Sequence, residues 1–326
     1  MELRILTGAD VRQAIDMAEA IEAMRAAFAE LSSGQAQVPE RQTVSTDSGL
    51  TLVMPAYLAS ERALGAKIVS VFEGNRKSGL PVITGLVVLL EATTGAPVAL
   101  LEAAELTALR TGAAAGLATS LLASETASVL ALFGAGPQAR AQLEAMRCVR
   151  PVREVRVVAR TRESAIRFAT QAASEHPDLV VEVPTDPDVA LRGADLIVTA
   201  TTSAAPVFRG SDVEMGCHVN GIGSFRADTR EVDTELVQRA RVVVDSRAAA
   251  LAEAGDLLIP IDEGAIGEDH IGAELGEIVL GHSPPGPEGR DITFFKSVGN
   301  AAQDMAVARR IVEQAAAVGI GTLVEI

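Results

Sequence analysis

The sequence predicts an α/β fold: a doubly wound parallel sheet in one domain, with a second, α+β domain. Three observations predict it. Downstream of about Ser128, strand-like and helix-like segments alternate, the pattern of a mostly parallel sheet clothed in helices. The first of those strands runs into a glycine-rich turn that opens a helix. Upstream of about Leu106, short strands are joined by hairpin turns instead of βα units. A chain of 326 residues is long enough for two such domains.

The elements follow in order. Thr7 caps a first helix, with Asp10 where an acid complements the helix N-terminus. Val11, Ile15, Ala18, Ile21, Met24, Phe28 and Leu31 recur on one helical face, so a single helix is expected up to Ser32, Ser33 and Gly34. Residues 43–46 and 51–54 flank Asp47, Ser48 and Gly49, a hairpin signal. Residues 66–72, 82–90 and 97–101 read as strands, the last two joined through Thr93, Thr94 and Gly95. Residues 106–122, rich in Ala, Gly and Thr with Arg110 as the only charge, read as a packed connecting helix. Strands are then expected at 128–133, 154–159, 180–183, 195–200, 218–222, 241–245 and 292–295, with helices at 138–147 and 163–175. Residues 283–289, dense in proline and glycine, read as a loop, and a last helix covers 301–317.

Composition narrows the function classes. With 28 basic and 43 acidic residues the formal net charge is −15. Nucleic-acid affinity rests on Lys and Arg neutralising phosphates, so no nucleic-acid partner is expected, nor an anionic membrane surface. No apolar run approaches the ~18–20 residues that span a bilayer, and the N-terminus lacks a signal-like stretch. A cytoplasmic protein is expected. Cys148 and Cys217 form no C-x-x-C pair and read as buried reduced thiols. His176, His218, His270 and His282 lack metal-ligand spacing, so no metal is expected; His218, opening a strand, reads as packed more readily than as catalytic. Eight Phe and one Tyr leave the core to Ala, Val, Leu and Ile.

The chemistry-bearing motif is Gly134, Ala135, Gly136, Pro137, Gln138 and Ala139, directly after the strand ending at Phe133. This is G-x-G-x-x-A in its required context of strand, turn and helix. Gly134 permits the turn, Gly136 lets the backbone approach a pyrophosphate, and Ala139 lets helix and strand pack closely. Free N–H groups at the helix start favour an anion, and Pro137 loses nothing at the first helical position. A Rossmann-type dinucleotide site is therefore expected. Where an NAD-selective site places an acid, this chain has Arg160, followed by Thr161 and Arg162. Arg160 suits a 2′-phosphate, so NADP(H) is expected to be preferred, with NAD(H) possible; the bland alternative is two solvated arginines and a helix cap at Thr161. Thr201, Ile222, Gly223 and Ser224 end later strands at the same sheet edge and are expected to line the cofactor, the alternative being simple turn chemistry.

Isolated cations among apolar neighbours stand out in an acidic chain. Arg41, Lys67 and Arg110 are each such a case. Buried cations need partners, either internal acids or a substrate carboxylate gripped by Arg. Asp228, Glu231 and Asp233 form either a solvated acidic turn or a cluster that brings one acid to the site.

Six segments carry a wider likeness: VMPAY at 53–57, GAKIVS at 65–70, LTALRTG at 106–112, GAGPQA at 134–139, HVNGIGS at 218–224 and FKSVG at 295–299. In this order the chain resembles the ornithine cyclodeaminase/μ-crystallin family along nearly its whole length. The resemblance implies a homodimer. It implies a dinucleotide-binding Rossmann domain at 116–300 and a discontinuous substrate-binding and dimerisation domain at 1–115 with 301–326. It puts Arg41, Lys67 and Arg110 on the substrate-binding positions, and Thr84, Thr201, Lys296 and Ser297 near the cofactor or cleft. One departure matters: where cyclodeaminases carry an Asp and a Glu, this chain has Phe225 and Leu52. Cyclodeamination is thereby disfavoured, and the run from Gly223 to Glu231 is more similar to the μ-crystallin branch, whose members reduce ketimines. The resemblance thus implies an NAD(P)H-dependent reductase of 2-imino acids, with small cyclic ketimines such as pyrroline-2-carboxylate or piperideine-2-carboxylate as substrates. Lys67 and Asp228 are its catalytic candidates. The other readings are an alanine-type amino-acid dehydrogenase, then an ornithine cyclodeaminase, then a non-catalytic nucleotide- or ligand-binding protein.

Overall fold

The computed structural model describes residues 1–286 and 291–326. It divides into two compact units: Met1–Arg110 with Asn300–Ile326, and Thr111–Gly299.

The first unit opens with β1 (Glu2–Leu6), an element the sequence reading missed. The expected single helix is two, α1 (Gly8–Ala14) and α2 (Met17–Ser32). Ile15 turns extended, and Asp16 recaps the chain by accepting from the Glu19 amide at 2.8 Å. A cap this strong restarts the helix although the apolar periodicity runs through it. The strands β2 (Gln42–Thr46), β3 (Gly49–Leu58), β4 (Ala63–Val71), β5 (Ile83–Glu91) and β6 (Pro97–Glu102) follow. They pair antiparallel in sequence order. The helix α3 (Ala103–Leu122) starts in this unit; Glu102 caps it, accepting from the amides of Ala104 and Glu105 at 2.8 Å each.

The second unit holds β7 (Val129–Phe133), α4 (Pro137–Val149), β8 (Glu154–Val158), α5 (Arg162–Glu175), β9 (Val180–Glu182), α6 (Pro187–Leu191), β10 (Leu196–Thr199) and β11 (His218–Gly221). It continues through α7 (Thr234–Arg239), β12 (Ala240–Val244), α8 (Arg247–Glu253), α9 (Gly255–Asp262), β13 (Ile271–Glu274), α10 (Leu275–Val279) and β14 (Ile292–Lys296). The strand order is β13-β12-β14-β11-β10-β7-β8-β9, every neighbouring pair parallel. This is a Rossmann-type doubly wound sheet. From β7 the chain winds outward through β8 and β9, then returns to the other side of β7 at β10. That reversal opens the crevice where such sheets bind ligands. Its core includes Phe133, Val219, Val242 and Phe294, all buried, with the Phe133 and Phe208 rings 5.1 Å apart.

The chain then re-enters the first unit as α11 (Ala301–Val318) and β15 (Thr322–Glu325). The sheet there runs β15-β1-β6-β5-β4-β3-β2, and α11 packs on β3, β4, β5 and α2. Ser283–Gly286 is irregular; the rest of the expected 283–289 loop, residues 287–289, lies outside the described residues. Cys148 is exposed, against expectation, because it falls on the outer face of α4; Cys217 is buried, and burial pushes its thiol pKa up.

Candidate active site

In the second unit, β7 delivers Phe133 to the turn. Gly134 donates its amide to the Val158 carbonyl at 2.8 Å and sits at φ +128, where a Cβ would lie 2.4 Å from the Ala200 carbonyl oxygen. Only glycine fits there. Gly136 is the N-cap of α4; a Cβ on it would meet nothing within 4 Å, and no side chain caps the helix. Pro137 occupies the first turn and Ala139 is fully buried. Ala135 and Gln138 are half-buried, and Gln138 Oε1, shielded from solvent, has no hydrogen-bond partner among the described residues. Open space over Gly136 beside uncapped amides fits a dinucleotide pyrophosphate.

At the end of β8 the three expected residues part ways. Thr161 caps α5, accepting from the Ser164 amide at 3.2 Å. Arg162 reaches the carbonyls of Val183 and Pro184 at 3.4 and 3.5 Å. Arg160 is exposed and has no polar partner among the described residues, so its guanidinium is available to a ligand.

The loops after β10 and β11 are tied to one carboxylate. Glu231 Oε1 accepts from the amide and hydroxyl of Thr201, at 2.7 Å each. Its Oε2 accepts from the amides of Gly223 at 2.6 Å and Ser224 at 3.2 Å, and from the Thr199 hydroxyl at 3.0 Å. Ile222 is buried beside them. Glu231 is therefore a buried anchor, not part of a solvated acidic turn; burial raises its pKa while Lys296 nearby pulls it down. Asp233 caps α7.

Other expected residues prove internally committed. Lys296 is fully buried, its Nζ 2.7 Å from Asp256 Oδ2 and donating to the Ser224 carbonyl at 2.6 Å. Ser297 donates to Asp245 at 2.8 Å. His218 is packed, its Nδ1 2.8 Å from the Thr293 hydroxyl, and burial pushes its pKa down to about 3. Asp228 lies on an exposed loop, doubly hydrogen-bonded by Arg226 at 2.9 and 2.7 Å, which lowers its pKa.

The first unit brings the cations together. Lys67 on β4 and Arg110 on α3 are 3% and 7% exposed. Both meet Asp304 of α11: Lys67 Nζ lies 2.7 Å from Oδ2 and Arg110 Nε 3.1 Å from Oδ1. Arg110 Nη1 also donates to Gln303 Oε1 at 2.5 Å. Arg41, half-buried just before β2, lies close enough for its charge to act on Lys67. Desolvation is the largest influence on Lys67; Asp304 opposes it, Arg110 and Arg41 add to it, and the ammonium pKa falls to about 8. Thr84 is not in this cluster. It pairs with Ser70 across β4 and β5, whereas Lys67 pairs with Val87, so Thr84 stands on the opposite, exposed sheet face. Sequence reasoning missed Asp304 and Gln303. Their signal was a polar pair inside the otherwise apolar run that begins α11.

No group of His, Cys, Asp and Glu side chains suited to a metal occurs among the described residues, and none of their helices is long and apolar enough to cross a membrane.

The profile of the ornithine cyclodeaminase/mu-crystallin family matches residues 1–319. A Delta(1)-pyrroline-2-carboxylate reductase of Bacillus cereus is 38% identical over 324 residues, covering 98% of this chain and 99% of the relative. The structure of Thermococcus litoralis Delta(1)-pyrroline-2-carboxylate reductase in complex with NADH and L-proline superposes with a TM-score of 0.93 at 39% identity, over 98% of this chain and 99% of that one. An archaeal alanine dehydrogenase dimer with bound NAD gives the same TM-score at 34% identity over the whole of both chains. The chain belongs to the ornithine cyclodeaminase/mu-crystallin family.

Proposed function

We propose that this protein is an NAD(P)H-dependent oxidoreductase that reduces the C=N bond of 2-imino acids, with cyclic ketimines such as pyrroline-2-carboxylate or piperideine-2-carboxylate as substrates. The observation that carries the reading is the buried Lys67–Asp304–Arg110 cluster, in a chain that also holds a dinucleotide turn at Gly134 and Gly136. The likeness to reductases of this class at 38–39% identity over nearly the full length supports it.

When bound, the reduced nicotinamide supplies the hydride; the protein supplies orientation and charge. Gly134, Ala135, Gly136, Pro137 and Gln138 would hold its pyrophosphate, and the loops of Thr201 and of Ile222, Gly223 and Ser224 would line the cofactor. Arg41 and Arg110 grip the substrate carboxylate. Lys67, with its pKa near 8, is charged at neutral pH yet gives up a proton readily, as a general acid must. It donates that proton to the imine nitrogen and so raises the electrophilicity of the adjacent carbon. We assign this step to Lys67 and not to Asp228, whose carboxylate is exposed and held by Arg226. The cations oppose a positive charge on the substrate nitrogen; the bound carboxylate and Asp304 offset them.

Two finer points belong to the same reading. The unpartnered Arg160 supports a preference for NADP(H), although relatives are solved with NADH and NAD. A homodimer is supported by the sheet face of the first unit that leaves Val44, Ile68 and Leu86 at 59%, 42% and 49% exposure, and light scattering at several concentrations tests it.

The decisive assay follows oxidation of NADPH and of NADH with each cyclic imine, beside pyruvate plus ammonia. Oxidation with a cyclic imine and no ammonia supports the reductase. Turnover restricted to the oxo acid with ammonia makes this an amino-acid dehydrogenase, the second reading, favoured by the match to the archaeal enzyme.

A further inference from the structure

Three elements distant in sequence, β4, α3 and the start of α11, converge on one carboxylate. Asn300 caps α11, accepting from the Ala302 and Gln303 amides, so Gln303 and Asp304 stand in the first turn. A carboxylate is favoured there by the helix N-terminus. Asp304 is fully buried and divides its two oxygens between Lys67 Nζ and Arg110 Nε. The charged groups bearing on Lys67 are Asp304 from α11, Arg110 from α3 and Arg41 from the segment before β2. Its register neighbours, Met54 on β3 and Val87 on β5, are apolar. Among these influences on Lys67 only Asp304 is negative, so the charge of the lysine rests on that carboxylate.

We infer that Asp304 is the positioning residue of this cluster: it holds Lys67 and Arg110 in one place and keeps the lysine charged until the substrate nitrogen takes its proton. The step is a proton transfer alone. A Nζ–H bond of Lys67 breaks, its electron pair staying on Nζ, while the imine nitrogen lone pair forms the new N–H bond; the neutral lysine regains a proton from water. The identity of the acceptor rests on the proposed reductase function, whereas the control of Lys67 by Asp304 does not.

The chain has only three lysines, Lys67, Lys77 and Lys296. Protein labelled with carbon-13 at the lysine Cε therefore gives three signals, assigned with Lys77→Arg and Lys67→Arg, and each can be titrated without substrate or cofactor. In the wild type the Lys67 signal is expected to titrate near pH 8. In Asp304→Asn its midpoint is expected to fall by roughly one unit or more, with the other two signals unmoved, which shows the fold intact. An unchanged or raised midpoint overturns the proposal. Should the asparagine variant fail to fold, the wild type decides alone: a Lys67 midpoint below neutrality means that Asp304 does not keep the lysine charged. The alkaline limb of kcat/KM for imine reduction is then compared between the variants. A limb that follows the Lys67 midpoint completes the proposal. A midpoint that moves without the limb removes Lys67 as proton donor, and with it the proposed mechanism, while the hold of Asp304 on the lysine stands.

Discussion

Lys296 Nζ lies 2.7 Å from Asp256 Oδ2, and neither side chain reaches solvent. Asp256 uses its other oxygen to accept from the amides of Glu231 at 2.6 Å and Val232 at 3.0 Å. Glu231 in turn gathers the loops after β10 and β11, and Lys296 ties in the end of β14 through the Ser224 carbonyl. The edge of the sheet that bears the loops after β10 and β11 is thus knitted by three buried charges. Replacing Asp256 by Asn leaves the lysine charge buried and unpaired. A loss of about 3–5 kcal/mol is expected, read as a lower urea midpoint, with part of it recovered in the Asp256→Asn, Lys296→Met double variant. A loss within ~0.5 kcal/mol, the size of an ordinary surface change, would show that the network does not hold these loops.

The two glycines of the turn after β7 are expected to separate folding from dinucleotide binding. A Cβ on Gly134 would strike the Ala200 carbonyl oxygen at a φ that side chains rarely adopt, so Gly134→Ala is expected to cost ~1–3 kcal/mol of stability. A Cβ on Gly136 meets open space. Gly136→Val is expected to keep wild-type stability within ~0.5 kcal/mol while losing dinucleotide binding in calorimetry. Retained binding would place the pyrophosphate elsewhere.

Arg160→Ala removes an exposed cation just after β8 that has no polar partner among the described residues. A charged hydrogen bond to a 2′-phosphate accounts for roughly ten- to a hundredfold in affinity. The KM for NADPH is expected to rise by that factor while the KM for NADH stays unchanged. Equal effects on both would assign Arg160 no part in discrimination.

How far the sequence could be read depends on the range of the interactions. The turn at Gly134 and the alternation after it are local, and so they were legible. Lys67 and Arg110 were visible as cations in apolar runs, but their partner Asp304 lies 237 and 194 positions away, and no spacing rule joins them. The same holds for Lys296 and Glu231, whose partners come from other elements and loops of the second unit. Local signals also misled in one place: the apolar face from Val11 to Leu31 is continuous, yet Asp16 caps a new helix within it. The short strands β1 and β15 escaped because four or five residues carry too little periodicity to register.

His218 links burial to acid stability. Its pKa is about 3 in the fold against 6.5 when exposed, so between those values the unfolded chain binds the extra proton. Stability therefore falls as pH drops from about 6.5 toward 3. His218→Gln removes the titrating ring and is expected to flatten that part of the melting-temperature curve. An unchanged slope would show that other groups dominate the acid limb.

Lys67 has the same sign in stability and the opposite one in activity, and this makes its role measurable. Its pKa is depressed from 10.5 to about 8 by burial. Across that window the unfolded chain binds more protons than the folded one, so this group makes the protein more stable, not less, as pH rises. A proton donor, in contrast, is lost above pH 8. The kcat/KM for imine reduction is expected to fall about tenfold per unit there, while the melting temperature shows no matching loss from this lysine. Lys67→Arg keeps the positive charge toward a substrate carboxylate but holds its proton too tightly to donate it. This variant is expected to lose roughly a hundredfold or more in kcat, to keep KM near wild type, and to lack the alkaline limb. A limb that persists in Lys67→Arg would mean that another group gives the proton.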